Sequence, residues 1–261
     1  MDNLEIEINK LLDNNNEDIS ILCKDIKNNE NIYCKNECEK IIAASTIKVQ
    51  IMLAILEKIK QNKIMLTDRI FVKNIDILED TEVFEQGEGY YTIEELINWM
   101  IIKSDNTATN VLINKVEFDY INQYIKKELK LEKTELNRLM LDNIARKSGK
   151  ENYMSQKDML KTFEMLYGKE ILNNNLCNLA INILKKQRSQ NQIMRYIYDN
   201  VDFAHKTGVL DYINHDVGVM HIKNRIYYIG ISVYNCKEKR GDKQVVGKIG
   251  KLFYDNLRNV E

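Results

Sequence analysis

Proline is missing altogether from the 261 residues, and histidine (three), tryptophan (one) and glycine (ten) are sparse. Without the residue responsible for nearly all cis peptide bonds, none is expected here. Net charge is lacking too: 38 Lys and Arg against 39 Asp and Glu leave a formal -1. No global field exists to draw in nucleic acid or an anionic membrane, so neither is expected as a partner. No apolar run approaches the roughly 18 residues that span a bilayer. The start, Met1-Asp2-Asn3-Leu4-Glu5-Ile6-Glu7, is acidic and lacks the apolar core of a secretory signal. A soluble chain is expected, either intracellular or exported with its signal already removed.

The five cysteines, Cys23, Cys34, Cys38, Cys177 and Cys236, cannot all pair. None forms a Cys-x-x-Cys pair or lies near histidines at metal-ligand spacing, so reduced thiols and no metal or other cofactor are expected.

What is present is enough apolar material, 44% of the chain, for a sizeable core. Leu4, Ile6, Ile8, Leu11 and Leu12 recur at roughly helical spacing, and Asp18 to Cys23 alternates as a strand. A polar turn at Asn28-Asn29-Glu30-Asn31 leads to a second strand at Ile32-Tyr33-Cys34. Ser45 to about Lys60 reads as a helix apolar on most sides. Thr92-Ile93-Glu94-Glu95 has the form of a capping box before Leu96, Ile97, Met100 and Ile101.

Further helical stretches run to about Lys186. After Asp199 three strands follow, Phe203 to Leu210, Val217 to Lys223 and Ile226 to Val233, with a tight turn at Lys223-Asn224; Lys243 to Leu257 closes the chain as a helix. Pairing the terminal strands gives one antiparallel sheet covered by the first and last helices, with the middle helices as a second lobe. The expected division is an α/β lobe of about residues 1–42 and 199–261 and a helical lobe of about 43–198. A site is expected between them.

Three strings carry chemistry. Ser45-Thr46-Ile47-Lys48 sets a hydroxyl and an amine three residues apart on one helix face. A lysine in a water-poor cleft disfavours its ammonium form and can take the serine proton. A capping serine followed by a solvated lysine would give the same string. Ser104-Asp105-Asn106 adds a hydroxyl able to relay a proton and an amide able to hold the lysine and donate to substrate, though these residue types also favour ordinary helix caps. Lys206-Thr207-Gly208 lies in the first late strand: the lysine and threonine suit a carboxylate, and the glycine would leave room for substrate along the strand edge.

About one Ser-x-x-Lys is expected by chance, and each tripeptide in only about one in twenty chains of this size and composition; all three in this order resemble the signature of class A β-lactamases and penicillin-binding proteins. The order of helices and strands resembles that fold over essentially the whole chain. The resemblance implies an α+β, β-lactamase-like fold with a five-stranded antiparallel sheet. It implies Ser45 as nucleophile, Lys48 as its base, Ser104 as proton relay and Asn106 as substrate orienter. Lys206 and Thr207 would bind the substrate carboxylate, and the backbone N–H groups of Ser45 and Val209, the residue after Gly208, would form the oxyanion hole. Tyr90 and Tyr91 fall where the family puts an aromatic gatekeeper, although core or surface tyrosine explains them as well.

The resemblance breaks at the glutamate that activates water for deacylation. Aligning Thr134, Leu136 and Arg138 with the approach to that loop puts Met140 in its place; sliding the register to Leu136-Asn137 puts Lys133 there. Neither can replace a carboxylate base. The proline after the glutamate is also absent, and Asn152 is expected opposite Arg138 where the family has an aspartate. Asp142 is a replacement carboxylate or a loop surface charge. Arg240 could add to carboxylate binding from a solvated turn. By strand alternation His205 faces away from Lys206 as a structural histidine.

The expectation is a monomeric serine hydrolase acylated by β-lactams or related acyl compounds but slow to deacylate. A peptidase or esterase of the penicillin-binding kind, a β-lactamase with another base, and a non-catalytic sensor holding a covalent acyl adduct as an antibiotic signal stand beside it.

Overall fold

A computed structural model describes residues 2–13, 17–236 and 243–259; Arg240 lies outside them. In chain order, α1 (Asp2–Asp13) leads to β1 (Asp18–Asp25), β2 (Glu30–Lys35) and a two-residue strand β3 (Ile41–Ile42). A 3-10 turn, Ala44–Ile47, opens α2 (Lys48–Lys60). Strands β4 (Arg69–Val72) and β5 (Gly89–Thr92) flank a loop, followed by α3 (Ile93–Asn98), α4 (Asn106–Val116) and α5 (Phe118–Gln123). Then come α6 (Asn143–Lys147), β6 (Tyr153–Met154), α7 (Gln156–Tyr167) and α8 (Asn174–Lys185). The chain ends with β7 (Asp202–Leu210), β8 (Ile213–Ile222), β9 (Arg225–Tyr234) and α9 (Lys243–Leu257).

Five strands form one antiparallel sheet in the order β2-β1-β9-β8-β7. The terminal strands thus meet at its centre, and β7 is a free edge. One face packs on α1 and α9 through Ile8, Ile21, Ile229, Ile231, Ile249 and Phe253. The other continues through Val217, Val219 and Tyr228 into the helices, where Ile51, Leu53, Leu96 and Leu112 are fully buried. The α+β architecture anticipated from the sequence is the observed one. Two small sheets, β3 with β6 and β4 with β5, were not anticipated, because two- to four-residue strands are too short to show alternation.

Local chemistry fixes the elements that matter for the site. The box at Thr92 is reciprocal, with Glu95 N donating to Thr92 Oγ1 and Thr92 N to Glu95 Oε2. From α3 the chain continues as a wider π-helical turn, Trp99–Lys103, which ends at Ser104 in the left-handed region at φ 58°. Asp105 then caps α4 by accepting from Ala108 N at 2.7 Å. In α2, Lys48 through Glu57 are all buried, because the sheet and the other helices surround it.

Candidate active site

Ser45 does not lie in the α-helix expected for it but in the preceding 3-10 turn. Lys48 closes that turn, its N–H donating to Ser45 O, and begins α2. The residue before Ser45, Ala44, holds φ at 47°, a left-handed conformation that costs an L-residue about 1–2 kcal/mol. The turn is fixed by Thr46 Oγ1, which donates to Ala43 O at 2.7 Å, and by Ala43 N, which donates to Asn152 O at 2.8 Å.

Lys48, Ser104, Asn106 and Lys206 converge from three separate parts of the chain. Lys48 Nζ donates to Ser104 O (2.6 Å), Asn106 Oδ1 (2.7 Å) and, more weakly, Ser104 Oγ (3.3 Å). Lys206 Nζ donates to the same Ser104 Oγ at 2.9 Å and to Thr207 O at 2.9 Å. The left-handed backbone at Ser104 accompanies a carbonyl and hydroxyl that both meet Lys48. With both lone-pair regions of Ser104 Oγ directed at amines, its proton is left to point elsewhere.

Burial pushes the Lys48 ammonium down to about 7, against the opposing pull of Asp105 and Asp80. Burial also holds Lys206 well below the ordinary lysine range, with the Lys48 charge adding to the effect and Asp216 opposing it. Two amines on one hydroxyl disfavour simultaneous protonation, which keeps a neutral amine accessible near neutral pH.

Register sets Lys206 opposite Val217 and Thr207 opposite Asp216, so Lys206 and Gly208 share one face and Thr207 and Val209 the other. A Cβ on Gly208 would lie 3.1 Å from Ala43 O, 3.1 Å from Thr46 Cγ2 and 3.2 Å from Ala44 Cβ. The space the glycine leaves is therefore filled by the turn bearing Ser45, not by substrate, which corrects the sequence reading. Val209, 40% exposed, sits on the edge strand.

The loop between α5 and α7 is intact despite its altered residues. Arg138 Nε and an Nη donate to Glu151 Oε2 at 2.9 and 2.7 Å in a buried pair. Asn152, expected to face the guanidinium, instead accepts the N–H groups of Asn137 (2.7 Å) and Arg138 (3.0 Å) on its Oδ1. Met140, 7% exposed, is held by Asn110, which accepts Met140 N at 2.8 Å and donates to Met140 O at 3.1 Å. Asn110 lies one helical turn beyond Asn106 on α4. Asp142 caps α6 by accepting Ala145 N at 2.9 Å, so its carboxylate is engaged locally.

Tyr91 belongs to an aromatic cluster with Phe84 and Trp99, and exposed Tyr90 packs on Phe71. What lies over the start of α4 is residues 78–81: Leu78 N donates to Thr107 Oγ1 (2.9 Å), Asn106 Nδ2 to Asp80 Oδ2 (2.6 Å) and Thr81 Oγ1 to Asp105. No sequence signal marked Asp80 or Thr81. Buried His205 pairs with Asp216 at 2.7 Å and stacks on Phe203, while His215 Nε2 meets Ile42 O. Among the described residues no three His, Cys, Asp or Glu side chains are grouped to hold a metal ion, and no helix is long and apolar enough to cross a membrane.

A helical block facing a five-stranded antiparallel sheet is the architecture of β-lactamase structures, and here two buried lysines meet at one serine between them. The chain belongs to the β-lactamase enzyme family, whose model it matches over residues 3–257. The β-lactamase BRO-1 of Moraxella catarrhalis is 24% identical over 226 residues, covering 82% of this chain and 72% of its own. The structure of a β-lactamase from Chitinophaga pinensis matches with a TM-score of 0.89 at 18% identity, covering 98% of this chain and 99% of that one. PBP-A matches with a TM-score of 0.87 at 21% identity, covering 99% and 97%. A variant of PBP-A has been solved as an acyl-enzyme complex with penicillin G. These structural likenesses bear on the fold.

Proposed function

We propose that the chain is a penicillin-recognising serine hydrolase, acylated at Ser45 and slow to release the acyl group. The observation that carries this reading is the meeting of Lys48 and Lys206 on Ser104 Oγ, with Lys48 shifted to about 7.

In this mechanism the neutral Lys48 amine takes the Ser45 proton and Ser45 Oγ attacks the amide or ester carbonyl. The N–H groups of Ser45 and Val209 stabilise the oxyanion, and Asn106 orients the donor's amide. Ser104 passes its proton to the leaving nitrogen of an amide or the leaving oxygen of an ester, replenished by the proton that Lys48 took from Ser45. Lys206 and Thr207 bind the donor's carboxylate, and Gly208 brings β7 close to the Ser45 turn.

Deacylation needs a base on water. Met140 has none to offer, and Asp142 is occupied at its cap. A positioned base typically contributes about 100- to 10,000-fold, so the adduct should last minutes or longer. Turnover of D-Ala-D-Ala peptides or simple esters would identify a peptidase or esterase using the same acylation machinery.

Intact-mass spectrometry after incubation with penicillin tests the proposal. A persistent single adduct that vanishes in Ser45→Ala is expected. An adduct that survives in Ser45→Ala, or rapid multiple turnover by the unaltered protein, would overturn the corresponding half of the reading.

A further inference from the structure

His205 and Asp216 are fully buried behind β7 and take no part in the reaction proposed above. His205 Nδ1 lies 2.7 Å from Asp216 Oδ1, and Ile193 N donates to Asp216 Oδ2 at 3.1 Å. The imidazole stacks on Phe203 at 4.2 Å. A Cβ on Gly218, which stands opposite His205, would fall 2.4 Å from the histidine Cβ, so glycine there is what lets the ring sit in place. A carboxylate can only accept, which puts the hydrogen of the pair on Nδ1. His205 Nε2 is buried with no partner among the described residues, and a second proton there would be an unpaired buried donor. The pair as built therefore holds one negative charge, pinned at both oxygens.

We infer that Asp216, held by His205, is a positioning residue for Lys206: its buried negative charge supports the ammonium with which Lys206 binds a donor's carboxylate. This rests on the functional reading above, in which Lys206 meets that carboxylate. Register sets Asp216 opposite Thr207 and Val217 opposite Lys206, so carboxylate and amine lie on opposite faces of the sheet, one position apart. Burial disfavours the Lys206 ammonium most and the Lys48 charge adds to this, while Asp216 acts the other way. Without Asp216 the amine would meet an incoming carboxylate less readily as an ammonium, and the contact would lose its charge assistance. The influence passes through the sheet and not through a direct contact, so about 3- to 10-fold in acylation rate is expected to depend on it.

Benzylpenicillin and its methyl ester present the same ring and side chain to Ser45, but only the first offers a carboxylate. Their acylation rates are read by intact mass at about pH 8, above the value of about 7 for Lys48. Asp216→Asn keeps the shape and removes the charge; it should slow benzylpenicillin about 3- to 10-fold and leave the ester within about 2-fold. The deficit should close as the pH is lowered and Lys206 gains its proton in both proteins, and open as the pH is raised. His205→Phe, which removes the donor to Asp216, should give the same pattern. His205→Asn, whose amide nitrogen can replace Nδ1, should restore the unaltered ratio.

Equal losses with the two donors, a deficit that does not change with pH, or no loss in Asp216→Asn would overturn the role of Asp216 while leaving acylation itself standing. Should Asp216→Asn fail to fold, the two His205 variants decide, and matching ratios in them overturn it. Absence of an adduct with both donors in the unaltered protein would instead overturn the functional reading, and this inference with it.

Discussion

Asn110 grips Met140 through the backbone alone, accepting its N–H at 2.8 Å and donating to its carbonyl at 3.1 Å. The path of the chain there is thus set independently of the side chain it carries. Met140→Glu should accordingly place a carboxylate near the cleft and hasten loss of the acyl group by about 10-fold, part of the 100- to 10,000-fold of a well-placed base. The decay of the adduct mass measures this. An unchanged decay in a folded variant would show that the side chain points away from the water.

Asp142 is expected to matter for stability and not for deacylation. Removing its cap in Asp142→Ala should cost about 0.5–2 kcal/mol, or a few degrees in thermal midpoint for a domain of this size. The adduct lifetime should stay constant. A longer lifetime in this variant would identify Asp142 as a base after all.

On the proposed mechanism Lys48, lowered to about 7 by burial, should give acylation its pH dependence. With the neutral amine as the proposed base, the rate should rise about tenfold per pH unit below that value and level off above it. Stopped-flow or quenched mass measurements from about pH 5 to 9 would trace the limb. A flat profile would rule out Lys48 as the base, as would activity in Lys48→Arg, whose guanidinium stays protonated throughout.

Gly208→Ala should weaken acylation more than stability. The added carbon would sit 3.1 Å from Ala43 O and 3.2 Å from Ala44 Cβ, so β7 and the Ser45 turn must part by a few tenths of an ångström. Such a displacement of reacting groups is expected to lower the acylation rate about 10-fold or more, with a small change in thermal midpoint. Full acylation in this variant would mean the spacing is not critical.

Much of this molecule was legible in the sequence because its signals are local. The Thr92 box, the α9 helix and the terminal strands depend on neighbouring residues, and the three motifs on short spacing. The pairing of Glu151 with Arg138 was misread, since adjacent Asn152 is equally polar and only the fold decides which side chain faces the guanidinium. Asp80 was invisible because nothing in its own segment announces that it meets Asn106. The left-handed turns at Ala44 and Ser104 were equally hidden: neither residue is a glycine, and tertiary contacts impose the conformation.

The pairing of β1 with β9, from Asp18 opposite Tyr234 to Asp25 opposite Tyr227, joins partners separated by nearly the whole chain. Closing so large a loop is entropically demanding and slow compared with forming local helices. During synthesis, the 3-10 turn with Ser45 and the start of α2 with Lys48 emerge long before the strand bearing Lys206 and its neighbours in the sheet. The cluster in which Lys48 and Lys206 meet at Ser104 is therefore expected to be completed last, when the final strand slots between the first and the eighth. A nascent or truncated chain that lacks β9 should carry the serine and its lysine without the means to use them.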